Sequence, residues 1–173
     1  MGTAEGGRKV VLYEVNNFRR RGMPGYVAAT DSARIIQMFR VIHHEFAHIL
    51  DQNKQVPVEF RAISANVYNP DWTNITDLEA KNEGFVTPYA NSKWEDDFAD
   101  MVAMLLIWGK PYFDNYVNSI NYTGTTPSGT TAQQAKDRLR QKETIIVNYF
   151  KQAWNVDFYS LQARSRAALS ALL

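Results

Sequence analysis

The segment from residue 32 to residue 53 constrains the fold most strongly, because apolar side chains cover most of the circumference of the helix that it predicts. A helix that is apolar on nearly all sides runs through a protein interior. One polar stripe interrupts this surface, at steps of three, four, four and three residues: Gln37, Arg40, His44, His48 and Asp51. The stripe must therefore face water or charged partners.

The remaining pattern predicts a mostly helical α+β chain with a small N-terminal sheet. Residues 9–16 alternate as in a strand, after a small and flexible opening of seven residues. Residues 30–32 offer several N-caps for the long helix. Capping boxes at 76–79 and 92–95 predict two further helix starts, the first helix closed by Gly84 and the second running to about residue 107. Other helices are predicted from Pro57, from Pro111 to about residue 120, and over 132–154 and 158–172.

The composition excludes several classes of function. The formal net charge of +1 gives no electrostatic case for a nucleic-acid partner, and the absence of cysteine excludes disulfides, zinc fingers and thiol catalysis. No run reaches the roughly 20 apolar residues of a membrane span. We expect one catalytic domain over residues 1–173, without a membrane span in this chain.

Residues 44–48 read His-Glu-Phe-Ala-His, an H-E-x-x-H sequence on the predicted long helix. A four-residue step separates the two imidazoles by about 40° around the helix and about 6 Å along it. His44 and His48 can therefore reach one zinc ion, and Glu45 lies beside them as a general base for a zinc-activated water. A chance match on a buried helix is the alternative, but the chain's three histidines all lie within 43–48. His43 points about 100° away from His44 and is predicted to be packed or hydrogen-bonded.

The third ligand must be a carboxylate, because no histidine remains and a catalytic zinc usually takes three protein ligands. Asp51 and Lys54 occupy the Gly and His positions of the longer metzincin pattern, which excludes that branch. The acidic residues of 95–100 are the best source. Asp96 and Asp100 share a helix face, which could supply one ligand and one acceptor for a histidine N–H. The alternative is that acidic residues in a first helical turn complement the helix dipole, which accounts for Glu95 and Asp97 but poorly for Asp100.

Three motifs together resemble the gluzincin-type zinc metallopeptidases: residues 44–48 (HEFAH), 87–90 (TPYA) and 96–100 (DDFAD). The resemblance is to the zinc-binding metallopeptidases found as lipoproteins of Bacteroidetes, often associated with outer-membrane nutrient-import systems, and more distantly to anthrax lethal factor. It runs from about residue 9 to residue 107, and the last third of the chain contributes little to it.

The resemblance implies a zincin-like fold with one zinc ion per chain. It places His44, His48 and Asp96 as ligands, Asp100 as the acceptor that orients a histidine, Glu45 as the general base and Tyr89 as a donor to the oxyanion. Gluzincins have Glu as third ligand, so Asp96 is a departure, one methylene shorter. Among the acidic residues we rank Asp96 first, Glu95 second and Asp97 third.

The predicted function is hydrolysis of peptide bonds in a peptide or protein substrate. The strand at 9–16 resembles the edge strand that pairs with extended substrates. Two alternatives remain: a catalytically weak zinc-binding component of an outer-membrane nutrient-import complex, and a helical interaction module in which the motif is coincidental. The resemblance implies an extracytoplasmic location, with a lipid anchor in a longer protein of which this chain is a piece.

Overall fold

The computed structural model describes residues 2–13, 15 and 18–173. Over these residues the chain is mostly helical, with seven α-helices and a two-stranded antiparallel sheet, so the predicted α+β class is confirmed. The strands are β1 (Gly2–Glu5) and β2 (Lys9–Leu12). The helices are α1 (Ala28–Asn53), α2 (Val58–Ile63), α3 (Asp77–Asn82), α4 (Trp94–Trp108), α5 (Lys110–Asn118), α6 (Ala132–Trp154) and α7 (Phe158–Leu172); 3₁₀ turns span Trp72–Asn74 and Tyr89–Asn91.

The N-terminal sheet is a hairpin in which Gly2 pairs with Leu12 and Glu5 pairs with Lys9. The prediction of a flexible opening was wrong, since β1 forms there. Its short side chains carry no strand signal, and tertiary packing on α1 decides its conformation. A Cβ placed on Gly2 would lie 2.7 Å from Val41 Cγ1 and 3.0 Å from Glu45 Cγ, so β1 lies directly against α1.

The one strand predicted from the sequence covers 9–16, and β2 accounts for residues 9–12 of it. Tyr13 and Val15 lie beyond the strand, and the predicted strand positions Glu14 and Asn16 lie outside the described residues. The sheet therefore occupies residues 2–12, further towards the N-terminus than the sequence pattern predicted.

Helix α1 begins at Ala28, four residues before the predicted start, and ends at Asn53 as predicted. The candidate caps at 30–32 lie inside its first turns. Asp31 reaches back from there, and its Oδ2 accepts a hydrogen bond from the backbone N–H of Val27 at 2.7 Å. The side chain thus satisfies a free donor of the helix start from within the helix.

Helix α4 runs through the core, and eleven of its fifteen residues are buried. It packs against α1, α5, α6 and α7. The predicted capping box at its start is wrong: Lys93 is the N-cap residue and makes no side-chain capping bond. The hydroxyl of Ser92 instead donates to Asp96 Oδ2 at 2.8 Å, so this residue serves the acidic cluster and not the helix backbone.

The other predicted boundaries agree closely with the structure. Thr76 and Glu79 form the predicted capping box of α3, and Gly84 follows that helix with a φ of 84°. Helices α6 and α7 have the predicted bounds. None of the helices in the described part of the chain is long and apolar enough to cross a membrane.

Candidate metal centre

The polar stripe of α1 faces the acidic start of α4. His44 and Asp96 are buried, with 8% and 2% of their surface exposed. His44 Nε2 lies 3.1 Å from His48 Nε2 and 3.8 Å from Asp96 Oδ1, and the distance between His48 Nε2 and Asp96 Oδ1 is 3.4 Å. These three residues could hold a metal ion.

The donor set fits zinc. Two imidazole nitrogens and one carboxylate oxygen are ordinary zinc ligands, and ligands of a tetrahedral zinc lie about 3.3 Å from one another. The three measured separations, 3.1, 3.4 and 3.8 Å, bracket this value. Three protein ligands also leave one position for water or substrate, which is the arrangement of catalytic zinc sites.

Asp100 contacts the opposite side of the His44 ring. Its Oδ1 lies 2.8 Å from His44 Nδ1, and its Oδ2 lies 3.3 Å from Arg40 Nη2. Burial acts to raise the pKa of Asp100, but the hydrogen bond to His44 and the charge of Arg40 outweigh it, and the pKa lies below its ordinary value. An ionised Asp100 can only accept hydrogen bonds, so the proton of a neutral His44 lies on Nδ1. The lone pair on His44 Nε2 then faces the donor atoms of His48 and Asp96.

Asp96 is also held ionised. Burial acts to raise its pKa, but hydrogen bonds from His48 and Ser92 and the charge of Lys93 leave it below the ordinary value. The ammonium of Lys93 is 3.9 Å from Asp96 Oδ2. A carboxylate that is already ionised is ready to bind a cation without first losing a proton.

Glu45 and Tyr89 line the same cleft as the donor group, which has a volume of about 490 Å³. The Tyr89 ring lies 5.6 Å from the His44 ring between centroids, and 37% of the residue is exposed. Burial, followed by the charge of Asp96, raises the pKa of Tyr89 to about 12. Its phenol is therefore protonated at neutral pH and can donate a hydrogen bond into the cleft.

The two lower-ranked acidic residues lie elsewhere. Glu95 lines the cleft but is not part of the donor group. Asp97 is fully buried on another side of α4, where its Oδ2 is 2.7 Å from the ammonium of Lys142. The sequence pattern related Asp97 to the helix dipole and did not indicate its burial or its ion pair with Lys142.

His43 lies away from the donor group, as predicted. Its Nε2 is 2.9 Å from the hydroxyl of Ser165, and its ring is 6.2 Å from the ring of Phe39. Burial lowers its pKa. His43 thus belongs to the packing of α1 against α7.

Three contributors to the site were not found from the sequence. Residues Gly2, Thr3 and Ala4 of β1 line one side of the cleft, whereas no residue of β2 lines it in the described part of the chain. Arg40 was placed on the polar stripe, but no sequence signal paired it with Asp100. Thr87 lies in the 87–90 motif but had no predicted role, and its Oγ1 donates to Asp100 Oδ2.

Comparison with known proteins places the chain in a family. A family model described as "Putative zinc-binding metallo-peptidase" matches residues 1–159, and the chain belongs to this family. The chain is also similar to a solved structure, described as "a putative zinc-binding metallo-peptidase from Bacteroides caccae ATCC 43185", with 34% identity and a TM-score of 0.66. That match covers 87% of this chain and 55% of the other, so this chain spans little more than half of its relative. No curated protein sequence matches it.

Proposed function

We propose that this chain is the catalytic part of a zinc-dependent metallopeptidase that hydrolyses peptide bonds. One observation carries the proposal: the donor atoms of His44, His48 and Asp96 converge at one point of a cleft that Glu45 and Tyr89 also line. Membership of the family supports zinc and a peptide substrate.

His44, His48 and Asp96 would hold the zinc ion. When bound, zinc supplies Lewis acidity, which polarises a carbonyl group and lowers the pKa of water. Glu45 follows the first ligand in the chain and lines the cleft without belonging to the donor group. Its carboxylate accepts a proton from the attacking water and passes that proton to the leaving nitrogen as the C–N bond breaks.

Tyr89 and Asp100 complete the arrangement. The protonated phenol of Tyr89 donates a hydrogen bond to the carbonyl oxygen as negative charge develops on it. Asp100 holds the proton of His44 on Nδ1 and fixes the orientation of the ring. Peptide substrates would enter along β1, because β1 and not β2 lines the cleft.

A zinc-binding component with weak catalysis is the second candidate function. The observation in its favour is Asp96, which stands where gluzincins have Glu. Its side chain is one methylene shorter, so either α4 would have to lie closer to the ion or zinc would bind more weakly. Its partner would be an outer-membrane import complex, and the chain would then act at an extracytoplasmic membrane surface through a lipid anchor elsewhere in the protein. Partner and location stay predictions from the resemblance, because no described residue bears on them.

Cleavage of a peptide library by the zinc-loaded chain, read by mass spectrometry, tests the proposal. Glu45→Gln keeps the size of the side chain and removes the base, so we expect cleavage to fall about 10²- to 10⁴-fold with zinc content unchanged. Glu95→Gln is the matched control, since the same substitution is made in a cleft residue outside the donor group, and it should keep wild-type cleavage.

The outcomes separate the two candidates. Cleavage that survives Glu45→Gln at the wild-type rate contradicts the proposed mechanism. A chain that binds zinc but cleaves no peptide, with or without Glu45, favours the weakly catalytic zinc-binding component.

A further inference from the structure

The hydroxyl of Thr87 connects two parts of the site that are separate in the sequence. Its Oγ1 donates to Asp100 Oδ2 on α4, and the same oxygen accepts a hydrogen bond from the backbone N–H of Ala90 at 3.0 Å. Asp100 in turn holds His44. Ala90 directly follows Tyr89 in the 3₁₀ turn. The hydroxyl thus touches both the support of a proposed zinc ligand and the turn that carries the proposed oxyanion donor.

The direction of these bonds follows from the donor inventory. An ionised carboxylate only accepts and a backbone N–H only donates, so the single hydroxyl proton of Thr87 must point to Asp100. The lone pairs on the oxygen then serve Ala90. This second bond has the residue spacing of a helix N-cap, three positions along the chain, and it fixes the start of the turn.

Arg40 is the other partner of Asp100 Oδ2, and it restrains this oxygen less firmly than Thr87 does. Arg40 is 3.3 Å away and its side chain is 35% exposed, so it has freedom to move. The side chain of Thr87 is branched at Cβ, which restricts its rotamers. Thr87 is consequently the stiffer of the two restraints on this oxygen.

We propose that Thr87 is a positioning residue that couples the orientation of His44, through Asp100, to the turn that carries Tyr89. This inference rests on the proposed function, because it concerns a proposed zinc ligand and a proposed catalytic group. Thr87 touches neither substrate nor metal. Its action is to keep Asp100 at the angle at which His44 Nε2 faces His48 and Asp96, and to keep Tyr89 over the cleft.

The zinc affinity of the chain, measured by competition with a chromogenic chelator, tests the first half of this coupling. Thr87→Val keeps the branched shape and removes both hydrogen bonds, and Thr87→Ala removes them without adding a methyl group. Both should bind zinc about tenfold more weakly, which is the lower end of the range for losing a residue bonded directly to a ligand, because Thr87 acts one bond further out through Asp100. Thr87→Ser keeps the hydroxyl and should bind zinc as the wild type does.

Thr131→Val is the matched control. Thr131 accepts a capping bond from Gln134 at the start of α6, far from the donor group in the chain. This variant loses a comparable cap and should keep wild-type zinc affinity. The melting temperatures of the metal-free variants are measured in parallel, so that weaker zinc binding is distinguished from loss of the fold. Wild-type zinc affinity in Thr87→Val, or an equal loss in Thr87→Ser, overturns the proposal.

The second half is tested by a double-mutant cycle on peptide cleavage. Tyr89→Phe should lower kcat by a smaller factor in the Thr87→Val background than in the wild type, because the phenol is already displaced there. Equal factors in both backgrounds overturn the link to Tyr89. Absence of Glu45-dependent cleavage would instead refute the proposed function, and the zinc affinities would still decide whether Thr87 positions His44.

Discussion

Replacing Lys142 by methionine should destabilise the fold strongly. The ammonium of Lys142 and the carboxylate of Asp97 are both fully buried, and their closest atoms are 2.7 Å apart. Lys142 also donates to the carbonyl of Gly84 at 2.8 Å and lies 4.2 Å from the centre of the Phe85 ring. The hydroxyl of Tyr68 donates to the same oxygen of Asp97 at 2.9 Å. This pair joins α4 to α6 next to the proposed ligand.

The size of the stability loss follows from the loss of the ion-pair partner of Asp97. Methionine matches the length of lysine without its charge, so Asp97 keeps only the hydrogen bond from Tyr68, and its Oδ1 has no partner among the described residues. Removing one member of a buried ion pair costs about 3–5 kcal/mol, because the other charge stays in the interior. In a protein of this size such a loss corresponds to a melting temperature lower by roughly 6–20 °C.

Urea unfolding followed by circular dichroism at pH 7, with a chelator present, measures this effect without any contribution from bound metal. Lys9→Met is the control, since Lys9 and Glu5 form an exposed pair at 3.0 Å, and we expect a change within about 0.5 kcal/mol. Adding Asp97→Asn to Lys142→Met should recover part of the loss, because no charge is then stranded. A loss below about 1 kcal/mol in Lys142→Met, the range of exposed pairs, would refute the reasoning.

Two further predictions concern the site. Tyr89→Phe should lower kcat for peptide cleavage by about 10²- to 10³-fold, since it removes one oxyanion donor, and elemental analysis should find the same zinc content as in the wild type. Asp100 has a folded pKa below its ordinary value, because His44 and Arg40 outweigh the opposing effect of burial. Its contribution to stability is therefore complete above about pH 4 and is lost as the pH falls through the folded pKa, so unfolding of the metal-free chain between pH 5 and pH 2 should depend less on pH in Asp100→Asn.

Helical periodicity and capping chemistry predicted much of the fold. The bounds of α6 and α7 and the capping box of Thr76 are set by residues near one another in the chain, so a local pattern is enough to find them. The start of α1 and the strand β1 were missed. Asp31 reaches back over four residues to Val27, and β1 depends on packing against α1, which no local pattern contains.

The candidate site likewise has a part that the sequence predicted and a part that it did not. Helical spacing brought His44 and His48 to one face and Asp96 and Asp100 to another, and the structure places the two faces opposite each other. The partners of Asp100 and Asp97 come from Arg40, Thr87 and Lys142, which lie 13 to 60 residues away in the chain. Contacts over such separations depend on how α1, α4 and α6 pack, and residue type alone does not reveal them.

Zinc bound per chain, measured by mass spectrometry on purified protein, tests the central claim most directly. We compare the wild type with Asp96→Ala and with the matched control Glu95→Ala, which changes the neighbouring cleft carboxylate outside the donor group. The three-ligand site predicts about one zinc in the wild type and in Glu95→Ala, and a clear loss in Asp96→Ala. A wild-type chain that holds no zinc even after zinc is added back would contradict the account.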